Sequence, residues 1–251
     1  MSSDVHPIPA SSITTWDHEA DVVIAGFGIA GAAAAVEAAR AGADVLVLER
    51  SGSWGGAASM AGGFVYLGGG TPIQKACGFD DSVENMTAFL NVAMGPGADE
   101  NRIADYCAGS LEHFDWLVGC GVPFKPEFWS EPGWEPMGDQ GLAYSGGENS
   151  YPFNTIAEPA PRGHVPQMSN KQQGLSSAGF MLMKPLVETA TQLGVRSVYD
   201  VRVQSLIVES DGRVVGITAR QFGKDIAGLD RSAHDELAQL RQELERLLDR
   251  L

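Results

Sequence analysis

Apolar residues follow two distinct periods along this chain. Asp21–Ala25 is a short apolar run suited to a buried parallel strand, and Asp44–Leu48 repeats the pattern. Between them lies an alanine-rich stretch that reads as a helix closed by Gly42. Glu84–Met94 and Asn101–Val118 carry apolar residues every three or four positions and predict two helices, the second ending near Gly119 and Gly121. Leu182, Leu186, Val187 and Ala190 keep helical spacing until Gly194. Val198–Val203 then reads as a strand, and Ser205–Glu209 and Val214–Ala219 flank an Asp211-Gly212 turn, a strong hairpin signal. The fold class expected is α/β: a Rossmann-like βαβ unit with a parallel sheet, a small β-hairpin or meander layer, and a C-terminal amphipathic helix.

The junction of the first strand and helix carries the chemistry. Gly26, Gly28 and Gly31 fill the G-x-G-x-x-G spacing. Gly26 allows a tight turn, Gly28 lacks the Cβ that would hold a pyrophosphate off the backbone, and Gly31 lets helix and strand pack closely. Ile29 and Ala30 then offer backbone amides at a helix N-terminus, where the dipole favours an anion. Glu49 ends the second strand, about 20 residues past the glycines. Its carboxylate can accept from a ribose 2′-hydroxyl and would repel a 2′-phosphate, so FAD or NAD is expected and NADP is disfavoured.

Next comes SGSWGGAASMAGG, Ser51–Gly63, two glycine pairs among small residues that leave room for a second large group. Here the chain resembles the FAD-dependent oxidoreductases of the fumarate reductase and 3-ketosteroid dehydrogenase family, in which paired glycines follow the dinucleotide fold. The resemblance implies that Gly55, Gly56, Ala57 and Ser59 approach the pyrophosphate and ribityl chain, and that Met60, Gly62 and Gly63 approach the isoalloxazine edge. Arg50 joins Glu49 among the cofactor residues, and the backbone near Val203 meets adenine. Some members attach FAD through a histidine in this loop; Gly56 stands at the matching place, so noncovalent FAD is expected.

The resemblance extends through SAGFMLMKPLVETATQLGVRSVYDVRVQSLIVESDGRVVGI, Ser177–Ile217, and corresponds to the N-terminal half of a family member. It departs at about Ala227. We expect a flexible lead-in over 1–20, an FAD-binding domain over 21–226 and an unrelated amphipathic helical tail over 227–251. In that tail Ala233, Leu237, Leu240, Leu244, Leu247 and Leu251 alternate spacings of three and four. It reads as a dimerising helix or as one covering its own domain; self-association through 233–251 and a complementary chain supplying the C-terminal half both stay open.

The Pro-, Gly- and aromatic-rich loop 122–166 holds Phe124, Phe128, Trp129, Trp134 and Tyr144. Such a loop suits a flat hydrophobic substrate, a steroid for example, and equally suits burial of its own rings. Relatives that dehydrogenate the steroid 1,2 bond carry a tyrosine in a PDY-like stretch. Here Pro126-Glu127-Phe128-Trp129 puts Phe128 in its place, which cannot exchange a proton, so 4,5-dehydrogenation or another enone chemistry stays open. The other proton-transfer groups of relatives lie beyond the matching segment, so the catalytic residues are unknown. His164, after Arg162-Gly163, and His113 and His234 are weaker candidates.

Three cysteines, Cys77, Cys107 and Cys120, form neither a C-x-x-C pair nor a metal-ligand cluster with histidine, so a reduced, cytoplasmic protein without a bound metal is expected. A formal net charge of −15 opposes nucleic-acid binding, and the Val22–Val36 run is too short and glycine-broken for a membrane span. The implied activity is hydride transfer between flavin and a hydrophobic, carbonyl-activated substrate, ketosteroid- or fumarate-like, at a CH–CH bond. The alternative is a truncated, catalytically incomplete FAD-binding fragment, or one half of a split enzyme, acting as a cofactor-binding or association module.

Overall fold

The computed structural model describes residues 6–131, 136, 138–166 and 178–222. In chain order its elements begin with β1 (Ile8–Pro9), β2 (Val22–Ala25), α1 (Ile29–Arg40), β3 (Val45–Leu48), α2 (Gly56–Met60), β4 (Val65–Tyr66) and α3 (Pro72–Ala76). They continue with α4 (Val83–Ala93), α5 (Glu100–Ala108), α6 (Ser110–Gly119), β5 (Leu142–Ala143), β6 (Gly163–His164), α7 (Ala178–Gln192), β7 (Arg196–Val198), β8 (Val201–Val208) and β9 (Val214–Gln221). The chain divides into two units, residues 15–198 and residues 1–14 with 199–251.

The larger unit holds a parallel sheet in the order β2-β3-β7, with Val22 opposite Val45 and Leu46 opposite Arg196. β3 is buried along its whole length, as a continuous apolar strand between two covered faces must be. Ala32, Ala35 and Val36 of α1 are buried, and their small side chains bring that helix close to the sheet. α7 packs against α1 and α2, burying Leu182, Met183, Leu186, Val187 and Ala190. A second, antiparallel sheet runs in the order β4-β6-β5. Each of α3, α4 and α5 starts on a side-chain cap, from Thr71, Ser82 and Asp99.

Two elements differ from the sequence reading. The single helix expected over Asn101–Val118 is two, meeting at Gly109. The Gly109 amide closes α5 on the Asp105 carbonyl while its own carbonyl accepts the first bond of α6, from His113. Ser110 sits at this break because its hydroxyl exchanges hydrogen bonds with both backbone groups of Gly68. The single strand expected over Val198–Val203 is also two. Asp200 takes a left-handed conformation, φ 58°, which aspartate tolerates, and so separates β7 from β8.

The smaller unit is built on the expected hairpin. β8 and β9 pair antiparallel from Val201 opposite Gln221 to Val208 opposite Val214. Gly212 supplies the positive φ, and Glu209 and Arg213 close the turn. Part of the expected flexible lead-in is instead paired: Ile8–Pro9 adds a parallel strand to β8, two apolar residues being enough to continue that ladder. The amphipathic tail over 227–251 and Trp134 lie outside the described residues.

Candidate functional site

Two glycine turns meet at the N-terminus of α1. Gly26 has φ +95°, open only to glycine without strain, and its amide donates to Leu48 O at 2.8 Å, tying the turn to the end of β3. A Cβ on Gly31 would stand 1.9 Å from the Gly26 carbonyl oxygen, so close packing of helix on turn requires glycine there. At Gly28 the requirement differs. A Cβ there would find its nearest neighbour, the Gly55 carbonyl oxygen, only at 3.9 Å. The space in front of Gly28 is therefore open within the protein itself.

The second turn faces the first. Gly55 has φ +110° and donates to Phe27 O at 2.9 Å, and a Cβ on Gly56 would have Gly28 Cα as its nearest atom. At Gly28 and Gly56 the only atom within 4 Å of an added Cβ is backbone of the opposite turn. α1 has no side-chain cap and no acidic residue in its first turn, and its first backbone bond runs from Ala32 to Gly28. The amides ahead of Ala32, those of Ile29 and Ala30 included, have no acceptor within the helix. An uncapped dipole facing open, Cβ-free space suits a pyrophosphate.

Glu49 closes this site on the strand side. It is 7% exposed, and its carboxylate accepts from Phe27 N–H at 2.6 Å and from Ser51 N–H at 2.8 Å, so one side chain grips both the glycine turn and the segment after β3. Burial alone would raise its pKa; the hydrogen bonds from Phe27, Ser51 and Arg50 outweigh burial and hold it below the usual carboxylate range. The anion keeps lone pairs for a further donor such as a ribose hydroxyl. Arg50 beside it is exposed.

Of the remaining expected residues, Ala57 and Met60 are exposed on α2, and Ser59 turns back to donate to Gly56 O. Gly63 is buried, and a Cβ there would meet the backbone of Ala178 at 2.5 Å. Val203 lies on β8 of the smaller unit, opposite Ala219. An apolar cavity of about 470 Å3 opens between Ile29 and Ala33 of α1, Ala58, Ala61 and Gly63 of the second turn, and Leu182 of α7. His113 also lines it, its imidazole pushed below the ordinary value by burial.

Sequence reasoning missed the clamp on the second turn. Gly179 donates to Ala61 O at 3.0 Å, and a Cβ there would lie 2.1 Å from Ala58 O, while Phe180 stacks on Trp54 at 5.2 Å. The available signal was a glycine beside an aromatic at a helix start. Equally unforeseen was the support under Gly68–Gly70. Asp81 and Arg162, 81 residues apart and both with fully buried side chains, pair through two bonds of 2.7 and 2.9 Å, and Asp81 also accepts from Gly69 N–H. Burial pushes the Asp81 carboxyl up, but Arg162 and the amide hold it below its normal value.

His164 belongs to this support. Its Nε2 lies 2.9 Å from Thr71 Oγ1 and its Nδ1 3.1 Å from Arg162 O, and its ring meets Phe114 and Phe124 edge-on. Burial pushes its pKa down to about 4, so it is neutral at pH 7. The rings of the aromatic loop pack on one another and on neighbouring elements: Phe128 meets Tyr144 at 5.7 Å and Phe79 at 4.8 Å, and Phe124 stacks on Phe114 of α6 at 5.6 Å. Among the described residues no group of three His, Cys, Asp or Glu is placed to hold a metal, and no helix is long and apolar enough to cross a membrane.

Residues 21–236 match the FAD binding domain family. The 3-oxo-5-alpha-steroid 4-dehydrogenase of Comamonas testosteroni is 32% identical over 221 residues, 85% of this chain and 40% of that enzyme. The acrylate reductase flavoprotein subunit of Shewanella woodyi is 29% identical, over 82% of this chain and 34% of that subunit. The crystal structure of 3-ketosteroid-Δ4-(5α)-dehydrogenase from Rhodococcus jostii RHA1, in complex with 4-androstene-3,17-dione, is 68% identical with a TM-score of 0.83, covering 87% of this chain and 45% of that one. A flavocytochrome c3 fumarate reductase at 24% identity and a TM-score of 0.59 shares the fold. The chain thus spans less than half the length of these relatives. It belongs to the FAD-binding flavoproteins of the fumarate reductase and 3-ketosteroid dehydrogenase family, and its cofactor is FAD.

Proposed function

We propose that this chain is the FAD-binding part of an oxidoreductase that moves a hydride between flavin and the 4,5 bond of a 3-ketosteroid. Cofactor binding rests on one observation above all, the two Cβ-free turns meeting at an uncapped helix N-terminus beside an ionised Glu49. The substrate class rests on the 68% identity to the Rhodococcus enzyme, and Phe128 in place of a hydroxyl fits chemistry away from the 1,2 bond. When bound, FAD supplies the hydride-accepting centre; the protein supplies position and electrostatics.

The roles of this chain's own residues follow. Ile29 and Ala30 hold pyrophosphate through backbone amides, Glu49 accepts from ribose, and Gly55, Gly56, Ala57 and Ser59 line the path toward the isoalloxazine at Gly62 and Gly63. Gly56 has no side chain to bond covalently, which supports noncovalent attachment. A cytoplasmic setting fits the three free thiols. No proton-transfer residue is assigned to this chain. Visible absorbance after adding FAD and desalting tests the proposal: a retained flavin spectrum, released into the supernatant by acid, is expected, and a colourless protein overturns it.

A further inference from the structure

Three buried polar atoms of the larger unit have no hydrogen-bond partner among the described residues: Tyr66 Oη at the end of β4, Glu148 Oε1 on the loop after β5, and Arg162 Nη1 just ahead of β6. Their side chains gather around Phe89 of α4. The Tyr66 ring packs on Phe89 at 6.3 Å, and the Arg162 guanidinium lies over it at 5.3 Å. A Cβ on Gly146 would meet Phe89 Cζ and Tyr66 Cε2 at 3.3 Å and Glu148 Oε1 at 3.4 Å. Burial, and after it Glu148, raises the pKa of the Tyr66 phenol while Arg162 opposes the rise, as groups within reach of one another must. The other polar atoms of the two charged side chains are engaged. Arg162 spends Nε and Nη2 on Asp81, and Glu148 Oε2 accepts from Gly146 N–H at 2.9 Å. The Arg162 side chain is fully buried and Glu148 is 1% exposed, so bulk solvent does not reach them. A buried donor and a buried acceptor left unmade are costly, and a molecule that serves both removes that cost.

We infer that Tyr66, Glu148 and Arg162 form a binding site for one internal water molecule, which ties β4, the loop after β5 and the approach to β6 to one another. The chemistry of the three atoms selects the occupant. Arg162 Nη1 only donates, Glu148 Oε1 accepts, and the phenol does either. A chloride ion would accept from Arg162 and Tyr66 but has nothing to offer Glu148, and the acidic side chains of Asp81 and Glu148 already stand against a single guanidinium. An ammonium ion would donate to Glu148 but would turn hydrogens toward Arg162. Water both donates and accepts, and three hydrogen bonds are the usual complement of a buried water. None of these residues belongs to the two glycine turns, so the inference stands apart from the cofactor reading.

The test is a crystal structure of the protein as purified, at a resolution that orders internal water, together with oxygen-17 relaxation dispersion, which counts long-lived water in solution. A single ordered oxygen about 2.6–3.2 Å from Tyr66 Oη, Glu148 Oε1 and Arg162 Nη1 is expected. Tyr66→Phe is expected to lose one slowly exchanging water relative to the parent, and Glu148→Gln to keep it, because the amide oxygen still accepts. Direct bonds among the three side chains with no oxygen between them, a protein atom in that position, or a chloride peak there overturns the inference, as does a Tyr66→Phe protein that keeps the parent's count. Where Tyr66→Phe does not fold, the crystal structure of the parent decides by itself.

Discussion

Gly28 and Gly31 separate two reasons for a glycine, so Gly28→Ala and Gly31→Ala are expected to fail in different ways. At Gly31 the added methyl would stand 1.9 Å from the Gly26 carbonyl oxygen, about 1.5 Å inside ordinary contact, and backbone on both sides gives it nowhere to rotate. Overpacking of this kind costs roughly 1–3 kcal/mol or more, against about 1 kcal/mol gained from alanine's helix propensity. We expect a net loss of about 2 kcal/mol in the cofactor-free protein, a fall in melting temperature of roughly 4–8 °C for a unit of this size. At Gly28 the methyl meets no atom closer than 3.9 Å, and φ −84°, ψ −168° is ordinary extended backbone. Stability without cofactor should change by less than about 0.5 kcal/mol. Flavin retention, however, should weaken at least about tenfold, because the methyl fills the space the pyrophosphate needs. Urea unfolding without FAD and equilibrium titration with FAD measure the two effects. If Gly28→Ala destabilises the cofactor-free protein as much as Gly31→Ala, or binds FAD like the parent, the assignment of open space to the phosphates is wrong.

Other expectations follow from the buried polar groups. Asp81→Asn leaves the Arg162 guanidinium buried against a neutral partner and should cost about 3–5 kcal/mol in urea unfolding. His164 titrates at about 4 folded and near 6.5 unfolded, so the unfolded chain takes up its proton first. Stability is therefore lost as pH falls from about 6.5 to about 4, by up to roughly 3 kcal/mol from this group; His164→Gln should flatten that slope, and an unchanged slope would place the titration elsewhere. Glu49 is depressed, so its contribution is present above the normal glutamate range and lost as pH falls through its folded value. The stability gap between the parent and Glu49→Gln, about 1–3 kcal/mol at pH 7, should shrink in acid.

What was legible in the sequence is what depends on neighbours along the chain. Gly26, Gly28 and Gly31 are spaced by the geometry of one turn and one helix, and Glu49 is fixed by the length of that helix and the next strand, so a linear pattern carries the site. The Asp211-Gly212 hairpin is legible for the same reason. The two broken elements were not, because each break answers to the tertiary arrangement: Ser110 turns inward to Gly68, and Asp200 takes the left-handed bend where the chain leaves β7 for the sheet that holds β8. Nor was the Asp81–Arg162 pair, whose members lie on a helix approach and a loop 81 residues apart with no shared motif.

The exposure of β2 shows a different limit. An apolar run marks a strand suited to burial, and composition alone cannot say where in the sheet it lies. β3, with the same character, is flanked by β2 and β7 and is buried throughout, while Val23, three residues before the Gly26 amide that donates to Leu48 O, stands 41% exposed. Among the described residues, the strand that leads into the glycine turn is thus paired on one side only, and the difference between two strands of like composition is set by their place in the sheet.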